Sequence, residues 1–284
     1  TINTSVSRVW LAPVAIGLLS ALGLYLTQVS FRNANSDRLP DRYLLQQWSS
    51  EEMMQNLGLA DMFAYGPMSL WFKHVYPPLQ DAFRYFFSLP ELVHGFPPNY
   101  AAVDLNTYKL YALCFGVVNA VMYVWVRDVT RSGRWALAIT TLWAIGPGYL
   151  TNMMLLDPTP LAMAFISISY LMLYLFLKYR NLWFLVGFFW AFWIASLARS
   201  FTQLHVLIFL IALAVSGILI ARKRSFLSVA LVVLGLGALW IMPLKQQVLY
   251  STWDTSTFAG YHRSGTLWID PHTVPEPDFP ADML

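Results

Sequence analysis

Long apolar runs joined by short basic connectors make up most of the chain, and a single long polar stretch interrupts them. Crossing about 30 Å of hydrocarbon takes roughly 20 apolar residues. Seven runs approach that length: Val9–Ser30, Tyr108–Val126, Trp135–Leu156, Leu161–Leu177, Leu182–Leu197, Leu204–Ile220 and Phe226–Pro243. The pattern predicts an all-α, polytopic membrane protein with about seven transmembrane helices. Residues 1–243 are expected to form a seven-helix module and residues 244–284 an external tail, with residues 31–107 as a long external loop between the first two helices. The triplet Lys178-Tyr179-Arg180 marks a tight turn between the fourth and fifth runs. The first run is long enough to span and has no small-residue cleavage site before the loop, so it reads as a retained anchor.

Local signals subdivide the polar loop. Ser49-Ser50-Glu51-Glu52 has the form of a capping box, in which a Ser hydroxyl and a Glu side chain satisfy each other's orphan amides. Gly58 is a stop for the helix that would follow. A second short helix is expected over Pro78–Phe87, with Pro in its first turn and Asp81 paired with Arg84 at i,i+3. Leu79, Phe83, Phe86 and Phe87 suit a helix that lies in the membrane interface with its apolar face toward lipid. In the third span, Gly146-Pro147-Gly148 breaks the helical ladder, which fits either a cavity or a plain proline kink.

Composition sharpens this reading. With 57% apolar and 12% charged residues the chain is too hydrophobic for a soluble domain of its length. A single cysteine, Cys114, excludes a disulfide framework and a CxxC metal site. No basic stripe suggests a nucleic-acid partner. Of the 18 Lys and Arg residues, nine fall in connectors that share one side when the N-terminus is placed inside. They are Arg8, Arg127, Arg131, Arg134, Lys178, Arg180, Arg222, Lys223 and Arg224, and Asp128 is the acid among them. By the positive-inside rule that side is cytoplasmic, so the N-terminus is expected in the cytoplasm and the C-terminus outside. A bacterial inner membrane fits this better than an endoplasmic reticulum.

Candidate chemistry lies on the opposite side. Asp157-Pro158-Thr159-Pro160 places an acid in a very short outer connector, where Asp before Pro is also an ordinary turn starter. Arg199 is the one cation of its connector, among Ser196, Ser200, Thr202 and Gln203. Its planar fork suits phosphate, although arginines at helix ends also snorkel to lipid headgroups. His205 stands close by in sequence.

The loop carries Asp41-Arg42-Tyr43 and, further on, Tyr76-Pro77-Pro78-Leu79. With a first span before the loop, short-looped helices after it and an Arg ending the fifth span, the chain resembles the C-type glycosyltransferases (GT-C). The loop is most similar to that of protein O-mannosyltransferases and the lipid A aminoarabinose transferase. The resemblance covers about residues 9–243, mostly as topology. It implies transfer of a sugar from a polyprenyl-phosphate donor to an acceptor outside, with Asp41 as the catalytic carboxylate. Arg199, with Lys73, His74 and His205, would face the lipid phosphate, and Tyr43, Tyr76, Pro77, Pro78 and Leu79 would be motif positions. A divalent metal shared by Asp41 and Asp157 is the cofactor it admits. Membrane lipids and other membrane subunits are the expected further partners. The alternative is a non-catalytic subunit of a larger membrane complex, with loop and tail as docking surfaces. A transporter fits less well, since no span carries a mid-membrane acid or base.

Cysteine labelling tests the orientation. A membrane-impermeant thiol reagent applied to intact cells is expected to label a Cys placed at position 37 or 262 and to spare one at position 131; the reverse pattern contradicts the assignment.

Overall fold

The computed structural model describes residues 4–34, 59–72, 77–91, 99–154, 156–199 and 204–250. Among them the chain is helical and holds no strand; one isolated bridge pairs Asn181 with Lys223. The helices are α1 (Thr4–Ala34), α2 (Leu59–Tyr65), α3 (Ser69–Phe72), α4 (Leu79–Ser88), α5 (Tyr100–Thr130), α6 (Gly133–Ala144), α7 (Pro147–Met154), α8 (Thr159–Tyr179), α9 (Leu182–Ala198), α10 (Leu204–Ile220), α11 (Phe226–Ala238) and α12 (Ile241–Tyr250). Four stretches are long and apolar enough to cross a membrane: Leu11–Ala34, Tyr100–Thr130, Thr159–Tyr179 and Phe226–Leu249. Leu182–Ala198 and His205–Ile220 are shorter apolar helices. Leu18, Leu19, Leu142, Phe209 and Leu219 are among the many large apolar side chains left on the surface. Lipid is the solvent such a surface suits, and the chain is an integral membrane protein.

Helix α1 lies antiparallel to α5. Arg32 near the end of α1 meets Asp104 near the start of α5, and Gly17 faces Gly116. Ala12 and Ile16 pack beside Tyr123 and Val126 at the far end of α5. Glycine makes the crossing close: a Cβ on Gly116 would stand 2.4 Å from the Gly17 carbonyl oxygen. Small residues at helix crossings are how apolar helices approach in lipid, where no hydrophobic drive separates one helix from the hydrocarbon around it.

Two apolar clusters share the bundle. One joins Leu24 of α1, Tyr108, Tyr111 and Phe115 of α5, Met153 of α7 and Leu161 of α8. The other joins Phe176 of α8 to Leu185 and Phe189 of α9, Leu207 and Leu210 of α10 and Val232 of α11. Helix α8 contributes to both and ties them together.

The interruption at Gly146-Pro147 is present. Proline has no N–H and its ring crowds the carbonyl four residues back, so α6 ends at Ala144 and Pro147 starts α7. Pro243 behaves differently from expectation. The last apolar run was expected to stop there, yet α12 runs through it to Tyr250. Pro243 occupies the first turn of α12, where its missing N–H has no helical partner to lose. Helix α5 likewise starts at Tyr100, eight residues earlier than its apolar run, capped by the Asn99 side chain accepting from the Ala102 N–H at 3.4 Å. The Ser49–Glu52 capping box, Gly58 and the tail beyond Tyr250 lie outside the described residues, and α2 begins directly after Gly58.

The two ends of the bundle differ in charge. Asp128 of α5 accepts from Lys178 of α8 at 2.8 Å, and the Arg180 carbonyl accepts from the Arg222 N–H at 2.9 Å. Arg127, Lys178, Arg180 and Arg222-Lys223-Arg224 therefore share one end, here the basic end. Arg32, Asp104, Asp157 and Arg199 share the other, the loop end.

Gly116→Ala is expected to wedge α1 away from α5, an overpacking cost of about 1–3 kcal/mol, visible as a lower thermal midpoint in detergent. Gly23→Ala, whose new Cβ meets nothing within 4 Å, is expected to lower it by none of that amount; equal losses at both sites contradict the close crossing.

Candidate functional site

Asp157 and Arg199 meet. Asp157 stands just before α8 and Arg199 just after α9, so the antiparallel α8–α9 hairpin returns the two to one end. Arg199 Nη1 donates to Asp157 Oδ1 at 2.9 Å. The same carboxylate oxygen accepts the Thr159 N–H at 2.7 Å, an Asx-type turn that sets the entry of α8. The Thr159 hydroxyl also donates to Asp157 Oδ1 and accepts from Arg199 Nη1. Asp157 thus has two duties, shaping its own connector and holding the guanidinium. Arg199 closes α9 through its own N–H to the Ala195 carbonyl at 3.1 Å.

The connector that carries Asp157 is fixed from behind. The end of α7 leaves carbonyls without helical partners, and two glutamines supply donors. Gln28 of α1 donates to the Met154 carbonyl at 3.1 Å and Gln80 of α4 to the Leu156 carbonyl at 3.4 Å. Both glutamines are buried. Three separate segments therefore position one short turn.

Helix α4 has a polar stripe at Gln80, Asp81, Arg84 and Ser88, and all four are buried. Arg84 Nη1 donates to Asp81 Oδ1 at 2.6 Å, as the i,i+3 spacing predicted, but in a setting 2% and 0% exposed. Phe86 is 64% exposed, whereas Leu79 and Phe83 pack on the first apolar cluster. The expected arrangement, with all four apolar residues toward lipid, is corrected for Leu79 and Phe83. The charged stripe of α4 turns inward as well, with Gln80 reaching the Leu156 carbonyl. Asp157, Arg84 and Asp81 all lie within electrostatic reach of the buried Tyr111 hydroxyl, which has no hydrogen-bond partner among the described residues.

Arg199 is 52% exposed. Among the described residues only its Nη1 is engaged, which leaves Nη2 and Nε as further donors of a fork suited to phosphate or carboxylate. His205 is exposed at the start of α10 and makes no ion pair with Asp157. Pro77 is buried, Pro78 is the N-cap of α4, and Leu79 opens that helix, with the Ala82 N–H donating to the Pro78 carbonyl at 2.9 Å. Asp41, Tyr43, Lys73, His74 and Tyr76 lie outside the described residues. Among the described residues no three His, Cys, Asp or Glu side chains gather as a metal cradle.

The sequence reading passed over Gln28, Gln80, Arg32, Asp104 and Tyr111. Gln28 and Arg32 carry a signal, because polar residues four apart near the end of an apolar run mark one helix face. Comparison with protein-family models, with characterised proteins and with solved structures finds no match for this chain.

Arg84→Ala removes one member of a pair that is 2% and 0% exposed, and is expected to cost about 3–5 kcal/mol of stability. Arg199→Ala breaks a half-exposed pair and is expected to cost about 1 kcal/mol or less. Denaturation midpoints of the two variants check the contrast; equal losses contradict it.

Proposed function

We propose that the chain is a membrane glycosyltransferase-like protein that moves a sugar from a polyprenyl-phosphate donor to an acceptor at the loop end, on the non-cytoplasmic side. The single observation that carries this reading is Arg199. It is anchored by Asp157 and Thr159 through Nη1, half exposed, and among the described residues its Nη2 and Nε have no partner. Such a guanidinium is pre-positioned for an anionic headgroup at the membrane boundary. Counting α9, α10 and the broken α6–α7 pair as crossings gives seven spans, with the basic end in the cytoplasm under the positive-inside rule.

The chemistry needs a base and a cation. Asp41 takes the proton of the acceptor hydroxyl as its oxygen bonds to the anomeric carbon. The bond from that carbon to the phosphate oxygen breaks, and the polyprenyl phosphate departs with the electron pair. Arg199, together with Lys73 and His74, stabilises the charge that develops on the phosphate. Asp157 acts as a positioning residue through Arg199.

A second reading, a non-catalytic subunit of a larger membrane complex, draws on one specific feature. The carboxylate beside Arg199 already serves its own turn and its ion pair through Oδ1, a structural role that needs no catalysis.

Asp41→Asn keeps size and removes basicity, and is expected to lower sugar transfer from a lipid-linked donor by about 10²–10⁴-fold with donor binding little changed. Arg199→Ala is expected to weaken binding of a polyprenyl phosphate. Transfer assays and lipid-binding measurements decide; an unaltered rate in the first removes Asp41 from the mechanism, and absence of transfer by the parent chain with every lipid-linked sugar tried favours the subunit reading.

A further inference from the structure

The basic end holds a second, independent feature. The α8–α9 turn and the α10–α11 connector are far apart in sequence, yet their backbones are joined. The Arg222 and Lys223 N–H groups donate to the Arg180 carbonyl at 2.9 and 3.3 Å, and the Leu182 N–H donates to the Lys223 carbonyl at 3.0 Å. Asn181 and Lys223 form the isolated parallel bridge. These bonds bring Arg180, Arg222, Lys223 and Arg224 onto one small patch. Arg222, Lys223 and Arg224 are exposed and Arg180 is half-buried.

Among the described residues the patch has no acid. Asp128, the carboxylate at this end, is taken by Lys178 at 2.8 Å and by the Tyr174 hydroxyl. No ion pair joins any of the four cations to a carboxylate among the described residues, and the side-chain bond they show is Arg224 to the Ile218 carbonyl at 3.4 Å. Like charges held this close repel, and the repulsion is relieved when an anion joins them. Arg180 also adopts φ 53°, a left-handed conformation that glycine or asparagine reaches more easily. The position keeps a guanidinium where the backbone favours another residue.

The surroundings specify the anion. Tyr179, Trp183 and Phe226 are exposed around the patch, Phe226 at 90%. Aromatic rings in this setting belong at the level of lipid headgroups, and the flanking helices α8 and α11 lead from there into apolar surface. We infer that Arg180, Arg222, Lys223 and Arg224 form a binding site for the headgroup of an anionic phospholipid, most favourably one bearing two phosphates. The site is separate from Arg199, which lies at the other end of α9, and it does not rest on the glycosyltransferase reading.

The test uses the full chain in nanodiscs of mixed phosphatidylcholine and cardiolipin, with retained lipids read by native mass spectrometry. Each cation near an anionic lipid surface contributes about 1 kcal/mol, so the R222Q/K223Q/R224Q triple is expected to lose about 10²-fold in cardiolipin preference. R180N keeps the left-handed turn, removes one charge, and is expected to lose about fivefold. R134Q, in a different connector at the same end, is expected to retain the parental preference. Unchanged retention in the triple and R180N variants overturns the site, as does an equal loss in R134Q, which would make the effect one of net charge. Displacement of the lipid by millimolar inorganic phosphate would overturn the assignment to a lipid.

Discussion

An ion pair sealed between a loop helix and a membrane bundle constrains everything around it. Asp81 and Arg84 are almost without solvent, and two charges taken out of water this far are tolerated only where they are paired. Helix α4 consequently presents its polar stripe inward and keeps Phe86 outside. Once α4 is seated in that sense, Gln80 reaches the carbonyl of Leu156, and the turn bearing Asp157 is held between α1, α4 and α9. The orientation of one short amphipathic helix thereby sets the geometry of the candidate site.

The bundle below obeys the rules of an apolar solvent. Lipid offers no partner for backbone groups, so the apolar segments are helical and the break at Pro147 falls where α7 can restart with proline in its first turn. Close approach comes from glycine, at Gly17 against Gly116 and again at Gly217, where an added Cβ would stand 2.4 Å from Leu185 Cδ2. Among the described residues the pairs Arg32–Asp104, Asp81–Arg84 and Asp157–Arg199 gather at one end, while the other holds the Asp128–Lys178 pair among an excess of cations. Arg199 and the patch of Arg180 with Arg222, Lys223 and Arg224 lie at opposite ends of the same helices.

Much of the fold is legible in the sequence because length and apolarity are sufficient for stretches such as α1, α5 and α8. Their ends are less so. Pro243 looks like a terminator, but a proline in a first turn costs no hydrogen bond, and the helix continues to Tyr250. Helix α4 shows its amphipathic pattern plainly, whereas the pattern carries no information on which face is buried when the neighbouring surface is polar. The meeting of Asp157 with Arg199 follows from topology, since an antiparallel hairpin returns its two ends to one side. Thr159, which links them, gives no signal beyond its place in a turn sequence. Arg32 with Asp104 depends on the antiparallel seating of α1 on α5, which spacing within either helix does not reveal.

On the proposed reading, the guanidinium of Arg199 is held ready for a lipid phosphate. An experimental structure of the chain with a polyprenyl phosphate added tests it most directly. The account predicts phosphate oxygens within about 3 Å of Arg199 Nη2 or Nε, with Asp157 still bound to Nη1. A phosphate bound only at the basic end, or seated at the loop end without contact to Arg199, would contradict it.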